Sequence, residues 1–319
     1  MLSSAQSLSM INSLRIGILV KLLIWGICVY TPISYAVDVF IINHPESEND
    51  HRYEYTYDLL TLIIEATQAD FGDASLQVAD VVMSRNRIFR SLVDGQIVNV
   101  MAEASNSLWD EQLIPIKIPI RKGIQGFRVF IIKKENLSIL ANINTLAQLT
   151  SLDTGSGSQW STKVAMQQAG FNVIESTQYD NLFNMLSMGR FVTFGRGVNE
   201  AFQEVELFKQ RYPDFIVDDN ILLHIPLATY YYVSPNQPRL AQRIQVGLKR
   251  IIASGQFDKL FYQRHCEFLL KSKLNERRIF KIDNPLILES EITSIVGKDF
   301  LLNPKDDFSV LCQKYRGIN

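Results

Sequence analysis

The chain after residue 36 alternates between two hydrophobic patterns. Short apolar runs rich in β-branched residues are typical of buried strands, and longer stretches with one apolar stripe are typical of amphipathic helices. Strands are predicted at 37–43, 76–82 and 97–102, and helices at 53–68 and from Ser84 to Gly95. This alternation predicts an α/β fold with parallel or mixed sheets and crossover helices.

One segment of the chain is repeated in pattern. Residues 87–101 (RIFRSLVDGQIVNVM) resemble residues 181–195 (NLFNMLSMGRFVTFG), and each copy reads as a helix, a glycine stop and a strand. The identical positions are Phe89 and Phe183, Leu92 and Leu186, Gly95 and Gly189, and Val98 and Val192. The match predicts two similar α/β lobes. The alternative is a chance match, because helix–glycine–strand is a common local arrangement.

Two extended stretches, 113–134 and 221–235, bracket the second copy. They are expected to cross between the lobes as hinge strands, so that one lobe is inserted into the other. The predicted boundaries are 37–127 plus 228–319 for lobe I, which carries a C-terminal extension, and 128–227 for lobe II.

Residues 1–36 have the pattern of a secretory signal peptide. Basic Arg15 and Lys21 precede the apolar run 22–30, and Ser34-Tyr35-Ala36 supplies small residues where a signal peptidase cuts. A mature periplasmic protein starting near Val37 is therefore expected, with an uncleaved membrane anchor as the alternative. Export permits disulfides, so Cys266 and Cys312 either pair or are two separate buried thiols.

Composition excludes several function classes. The 319 residues are 47% hydrophobic with a net charge of −1, which gives no basic face for nucleic acid. Histidine is scarce and no Cys/His cluster has metal-ligand spacing, so neither a metal site nor another cofactor is expected.

The order of elements, with the stretch 238–261 (PRLAQRIQVGLKRIIASGQFDKLF), resembles the family 3 extracellular solute-binding proteins from about Val37 to about Leu270. The resemblance implies a two-lobed, type II periplasmic-binding-protein fold. It also implies a monomer that captures an amino-acid-like solute, often for the permease of an ABC importer. Family members usually place an Arg after the third strand of the first lobe and an Asp after the equivalent strand of the second. This chain has no Arg in 103–112 and offers Arg196 in place of the Asp.

Parallel α/β sheets bind ligands beyond the carboxyl ends of their strands, which selects the candidate site without help from the resemblance. The loops at these ends are 43–49 and 103–109 in lobe I, and 153–160 and 195–200 in lobe II. The candidate ligand contacts are His44, Glu46, Glu103, Ser105 and Trp109 from lobe I, and Gly157, Ser158, Gln159, Trp160, Arg196 and Glu200 from lobe II.

Arg196 is the sharpest candidate, because a guanidinium at a strand end can hold a carboxylate or phosphate through two parallel bonds. The alternative is an ion pair with Glu200 or another acidic residue. Glu103 is expected to take an amine or to pair with Arg196 when the lobes close. Trp109 and Trp160 either stack on an apolar part of the ligand or pack in the core.

The stretch DTGSGSQWS (153–161) lacks the lysine of a phosphate loop. Gly155 and Gly157 are expected to let the backbone approach a ligand, with Ser158 or Gln159 beginning a helix whose free N–H groups face it. The alternative is a tight connection in which Ser158 only caps the helix.

These observations predict a periplasmic protein that binds a small polar solute, amino-acid-like or anionic, for an ABC importer. A ligand-sensing module acting on a membrane receptor would carry the same pattern. An exported hydrolase is the third reading, although no G-x-S-x-G motif occurs.

Overall fold

The computed structural model describes residues 37–45 and 53–316. The predicted signal peptide and Glu46 lie outside these residues. Within the described part, none of the helices combines the length and apolar character that crossing a bilayer requires.

Lobe I is built on two small sheets. Strands β1 and β2 pair in parallel, and the order of the second, antiparallel sheet is β3-β11-β4. Asn99 joins the two sheets, since its side chain accepts from Ile41 N and donates to Val39 O, both at 2.8 Å. The strands are β1 (Asp38–Ile42), β2 (Ala74–Val78), β3 (Val100–Ala104), β4 (Ile114–Ile116) and β11 (Thr229–Val233).

Lobe II is built on one seven-stranded sheet. Its order is β12-β10-β5-β8-β6-β7, with β9 also paired to β5. The pairs β6–β7 and β6–β8 are parallel, whereas β5 runs antiparallel to its neighbours. The strands are β5 (Phe127–Lys133), β6 (Thr154–Gly157), β7 (Val173–Ser176), β8 (Thr193–Gly197), β9 (Phe215–Val217), β10 (Ile221–His224) and β12 (Arg278–Lys281).

Twelve α-helices flank these sheets in the described residues. They are α1 (Glu54–Phe71), α2 (Arg85–Asp94), α3 (Ser107–Gln112), α4 (Leu137–Ala141), α5 (Leu146–Thr150), α6 (Ser161–Gln168), α7 (Tyr179–Ser187), α8 (Val198–Phe208), α9 (Pro238–Ala253), α10 (Gln256–Ser272), α11 (Glu289–Val296) and α12 (Phe308–Arg316).

The repeated segment has the same local structure in both lobes. Helices α2 and α7 are each followed by a glycine with φ of 68°, Gly95 and Gly189, and then by a strand. This left-handed conformation suits glycine and ends a helix. Leu92 and Leu186, at matching positions, are fully buried.

The predicted strand at 76–82 is shifted in the structure, where β2 ends at Val78. Its partner β1 ends at Ile42, which pairs with Val78. Ala79 N still donates to Ile42 O at 2.9 Å, but the pairing ends there, and Val81 and Val82 are exposed. The β-branched run indicated a strand but not its end.

The C-terminal extension reaches both lobes. Its strand β12, in the stretch 228–319 that the sequence analysis assigned to lobe I, pairs in parallel with β10 of the seven-stranded sheet. The chain then returns to lobe I, where Cys312 of α12 forms a disulfide with Cys266 of α10, with 5.7 Å between their Cα atoms. Of the two alternatives left open by the sequence for these cysteines, the structure therefore shows the disulfide.

The two crossings between the lobes lie side by side. Ile225 N on the second crossing donates to Gly126 O on the first at 2.9 Å. The C-terminal extension contacts both, because Asn284 Nδ2 donates to Pro226 O at 2.8 Å and Leu302 N donates to Lys122 O at 3.0 Å.

Candidate functional site

A cavity of about 140 Å³ lies where the two lobes and both crossings meet. Its wall carries six charged side chains, with four arginines and two glutamates among the described lining residues. These are Arg85, Glu103, Arg121, Arg128, Arg196 and Glu200.

Lobe II contributes a buried ion pair. Arg196, on β8, donates through Nε to Glu204 Oε2 at 2.8 Å and through Nη2 to Glu204 Oε1 at 2.6 Å. Its Nη2 also lies 3.2 Å from Glu200 Oε2, and its guanidinium stacks 4.3 Å from the Trp160 ring. Burial alone would lower the pKa of Arg196, but Glu200 and Glu204 outweigh it and raise that pKa. Of the two interpretations of Arg196, the ion pair with acidic residues is therefore the one that matches its geometry.

Lobe I contributes a more exposed pair. Arg85 Nη2 lies 2.9 Å from Glu103 Oε1, which also accepts from Ala104 N at 2.7 Å. Arg85 Nη1 donates to the carbonyl of Gln159, in lobe II. Glu103 is therefore paired with Arg85 in this structure, and Arg85 connects the two lobes directly.

The crossings contribute two buried arginines that the sequence analysis did not select. Arg128, on β5, donates to the backbone carbonyls of Gln125 at 3.1 Å and Gly195 at 2.8 Å. Burial lowers its pKa to about 10. Arg121 lies 5.3 Å from the ring of Tyr55, and burial lowers its pKa as well. A signal existed for Arg128, since it interrupts the apolar run FRVFII that makes up all but the last residue of β5.

The glycines of 153–161 accommodate aromatic rings. Gly155 and Gly157 lie in β6, and a Cβ atom would meet the Phe191 ring at 2.3 Å and the Trp160 ring at 2.4 Å, respectively. The helix does not begin at Ser158 or Gln159 as predicted. It begins at Ser161, because Trp160 folds back over Gly157 and occupies the N-cap position.

The remaining candidates are dispersed. Gly157, Ser158 and Gln159 line a neighbouring cavity of about 360 Å³, which Arg85 and Trp160 also line. Ser105 is buried with its N–H bonded to Ala228 O at 2.9 Å, and neither it nor His44 lines either cavity.

Trp109 packs in the core of lobe I. Its ring centroid lies 5.4 Å from that of Phe89 and 5.3 Å from that of Tyr232, so the packing alternative describes it. Of the selected residues, the 140 Å³ cavity brings together Glu103, Trp160, Arg196 and Glu200. Their contact with a ligand stays a prediction.

A metal centre finds no support in the described residues, where no three His, Cys, Asp or Glu side chains are grouped so as to hold an ion.

Comparisons with known proteins identify the fold. No protein-family model matches the chain. No curated protein matches it either. Solved structures do match. An ancestral arginine-binding protein bound to arginine is 15% identical, with 72% of this chain and 98% of that chain covered and a TM-score of 0.52. An arginine 3rd transport system periplasmic binding protein from Legionella pneumophila is 13% identical, with 72% and 100% covered and a TM-score of 0.50. At this identity the likeness establishes the fold, which is the predicted two-lobed α/β fold of periplasmic binding proteins.

Proposed function

We propose that this chain, which has the fold of the periplasmic amino-acid-binding proteins, captures a small polar solute between its two lobes and delivers it to an ABC importer. The observation that carries the proposal is the charged cavity where lobes and crossings meet. Both lobes and both crossings supply side chains to it, so a solute bound there would contact every part that moves when the lobes close.

The cavity supports a small, strongly polar solute. Its volume of about 140 Å³ lies below the roughly 300 Å³ at which drug-sized ligand pockets begin. Its wall offers guanidinium groups from four arginines and carboxylates from Glu103 and Glu200. An amino-acid-like zwitterion or a small anion matches these groups better than an apolar molecule does.

The periplasm is the compartment we propose. The pattern of residues 1–36 is typical of an export signal. The disulfide between Cys266 and Cys312 suits an oxidising compartment.

We propose binding without turnover. Among the described residues that line the cavity there is no histidine or cysteine beside Ser161, although a serine hydrolase would need a base next to its nucleophile. A bound solute should therefore be recovered chemically unchanged.

Native mass spectrometry and calorimetry test the proposal. The chain from Val37, purified from the periplasm, should carry or bind one small polar solute per molecule, and that solute should raise its melting temperature. The proposal is overturned if no solute copurifies and none of a panel of amino acids and short carboxylic acids binds. Conversion of a bound solute to a product would contradict the proposal of binding without turnover.

A further inference from the structure

We propose that Arg128, on the first crossing, receives a carboxylate group of the solute, with Arg121 and Gln125 beside it. This inference rests on the proposed function and goes beyond it, because it names the ligand class and moves the anion position from Arg196 in lobe II to the hinge.

Arg196 is a poor partner for a further anion. Its Nε and Nη2 groups already serve Glu204, and Glu200 lies 3.2 Å away. Arg196 and Glu204 are both almost fully buried. Bringing a third carboxylate to this pair would add repulsion among negative charges without a new positive charge to balance it.

Arg128 differs in its partners. It is also buried, yet its hydrogen bonds go to two neutral backbone carbonyls. Among the described residues, the carboxylate that pairs with it is that of Glu200 at 3.7 Å, and Glu200 lies closer to Arg196, at 3.2 Å. A buried cation with only a shared, more distant carboxylate is costly, and an anion placed against it would offset that cost.

The surroundings of Arg128 suit a carboxylate. Gln125, Thr229 and Arg121 line the same cavity. The Thr229 hydroxyl donates to Gln125 Oε1, which leaves the amide nitrogen as the donor that Gln125 can offer. Carboxylates favour such convergent donors, and a guanidinium can bind one through two parallel bonds.

The position also gives the carboxylate a mechanical role. Arg128 stands at the start of β5, next to the first crossing, and bonds to Gly195 of lobe II, while Thr229 begins β11 and pairs with Ala104 of lobe I. A carboxylate bound here would lie between the two lobes beside the hinge, so its affinity should depend on how far the lobes are closed.

The first test uses the parent protein and needs no variant. Each amino acid or short carboxylic acid of the panel is compared with the analogue in which an uncharged amide group replaces the carboxylate, for example L-alanine with L-alaninamide and succinate with succinamide, by thermal shift and calorimetry. The inference predicts that at least one acid binds and that its amide binds about 30-fold more weakly or worse. If acids and amides bind equally, the inference is wrong while the proposed function stands.

The second test uses Arg128→Gln and Arg128→Lys with the acid that binds the parent. Both variants should bind this acid about 30-fold more weakly or worse, because glutamine lacks the positive charge and lysine lacks the planar fork of the guanidinium. The matched control is Arg250→Gln, since Arg250 is exposed, lies on α9 and pairs with Asp70; its binding should equal that of the parent.

The outcomes separate the two proposals. Folded Arg128 variants that bind within threefold of the parent overturn the inference alone. Failure of every solute to bind the parent overturns the proposed function, and the inference with it. If the variants do not fold, equal binding of acid and amide by the parent still overturns the inference.

Discussion

Two Arg–Glu pairs, Arg85–Glu103 on lobe I and Arg196–Glu204 on lobe II, each contribute their arginine to the wall of the same cavity and differ in burial. Glu103 and Arg196 stand near the ends of the equivalent strands β3 and β8. The side chains of Arg85 and Glu103 are 21% and 16% exposed, whereas those of Arg196 and Glu204 are 3% and 7% exposed. Each lobe thus carries a charged residue near the end of this strand, and the surroundings decide what that charge does.

Packing accounts for the difference. The lobe II pair lies against the Trp160 ring, and the Tyr179 hydroxyl donates to Glu204 at 2.7 Å. In water-excluded surroundings each charge depends on its partner. The lobe I pair keeps contact with solvent, so water can replace either partner. The Nη1 group of Arg85 donates to the carbonyl of Gln159 in the other lobe. We infer that the lobe II pair holds its lobe together and that the lobe I pair responds to closure.

The largest effect is expected from Glu204→Gln. It leaves Arg196 buried with only Glu200 near it, and the free energy of unfolding should fall by about 3–5 kcal/mol. Urea denaturation measures the change. The control is Glu206→Gln, two residues along α8 and exposed, which should stay within about 0.5 kcal/mol. A loss below about 1 kcal/mol for Glu204→Gln would erase the contrast between the lobes.

Gly155→Ala tests the aromatic packing of lobe II. The new methyl group would overlap the ring of Phe191, so a loss of about 1–3 kcal/mol is expected. Gly195→Ala is the matched control on the neighbouring strand, because its Cβ would lie 3.4 Å from the Phe130 ring, an ordinary contact. Equal stability of the two variants in urea would contradict the packing account.

His265 is a buried titratable group that, unlike the two Arg–Glu pairs, is uncharged in the folded protein. Burial, and then Arg121, lowers its pKa to about 3, so it is neutral when folded. Its unfolded pKa is about 6.5, so below that value the unfolded chain binds the extra proton and stability falls with falling pH. Between pH 7 and pH 5 this group alone should remove about 2 kcal/mol.

Urea denaturation at both pH values measures that loss, with His265→Phe as the comparison, since His265 already stacks on Phe261. The variant should lose less stability than the parent on acidification. An identical pH dependence in the two proteins would show that His265 is not the responsive group.

The smallest effect on stability is expected from Arg85→Ala. A pair that keeps contact with solvent contributes about 1 kcal/mol or less, so the free energy of unfolding should change little. The bond to Gln159 is lost, however, and small-angle scattering without solute should show a larger radius of gyration. Arg87→Ala, on the same helix and exposed, is the control and should scatter like the parent. If the two variants have the same radius of gyration, Arg85 does not contribute to the closure of the cleft.

Features that depend on residues close together in the chain were predicted from the sequence, whereas features that depend on distant residues were not. The helix ends at Gly95 and Gly189 rest on neighbouring residues, and both were predicted correctly. Arg128 was missed because its importance lies in partners far along the chain, such as Gly195. Trp109 was selected for its loop, yet contacts with Phe89 and Tyr232 hold it in the core.

The amino-acid sequence by itself determined the alternation of strands and helices, the repeated unit and the two-lobed α/β class, because these follow from hydrophobic period and from glycine. Only the tertiary structure decided that Arg196 belongs to Glu204, that Gly157 makes room for Trp160, and that β12 joins lobe II. The reason is physical: the pairing of a charge and the fit of a ring depend on which surfaces exclude water together, and residues distant in the chain build those surfaces.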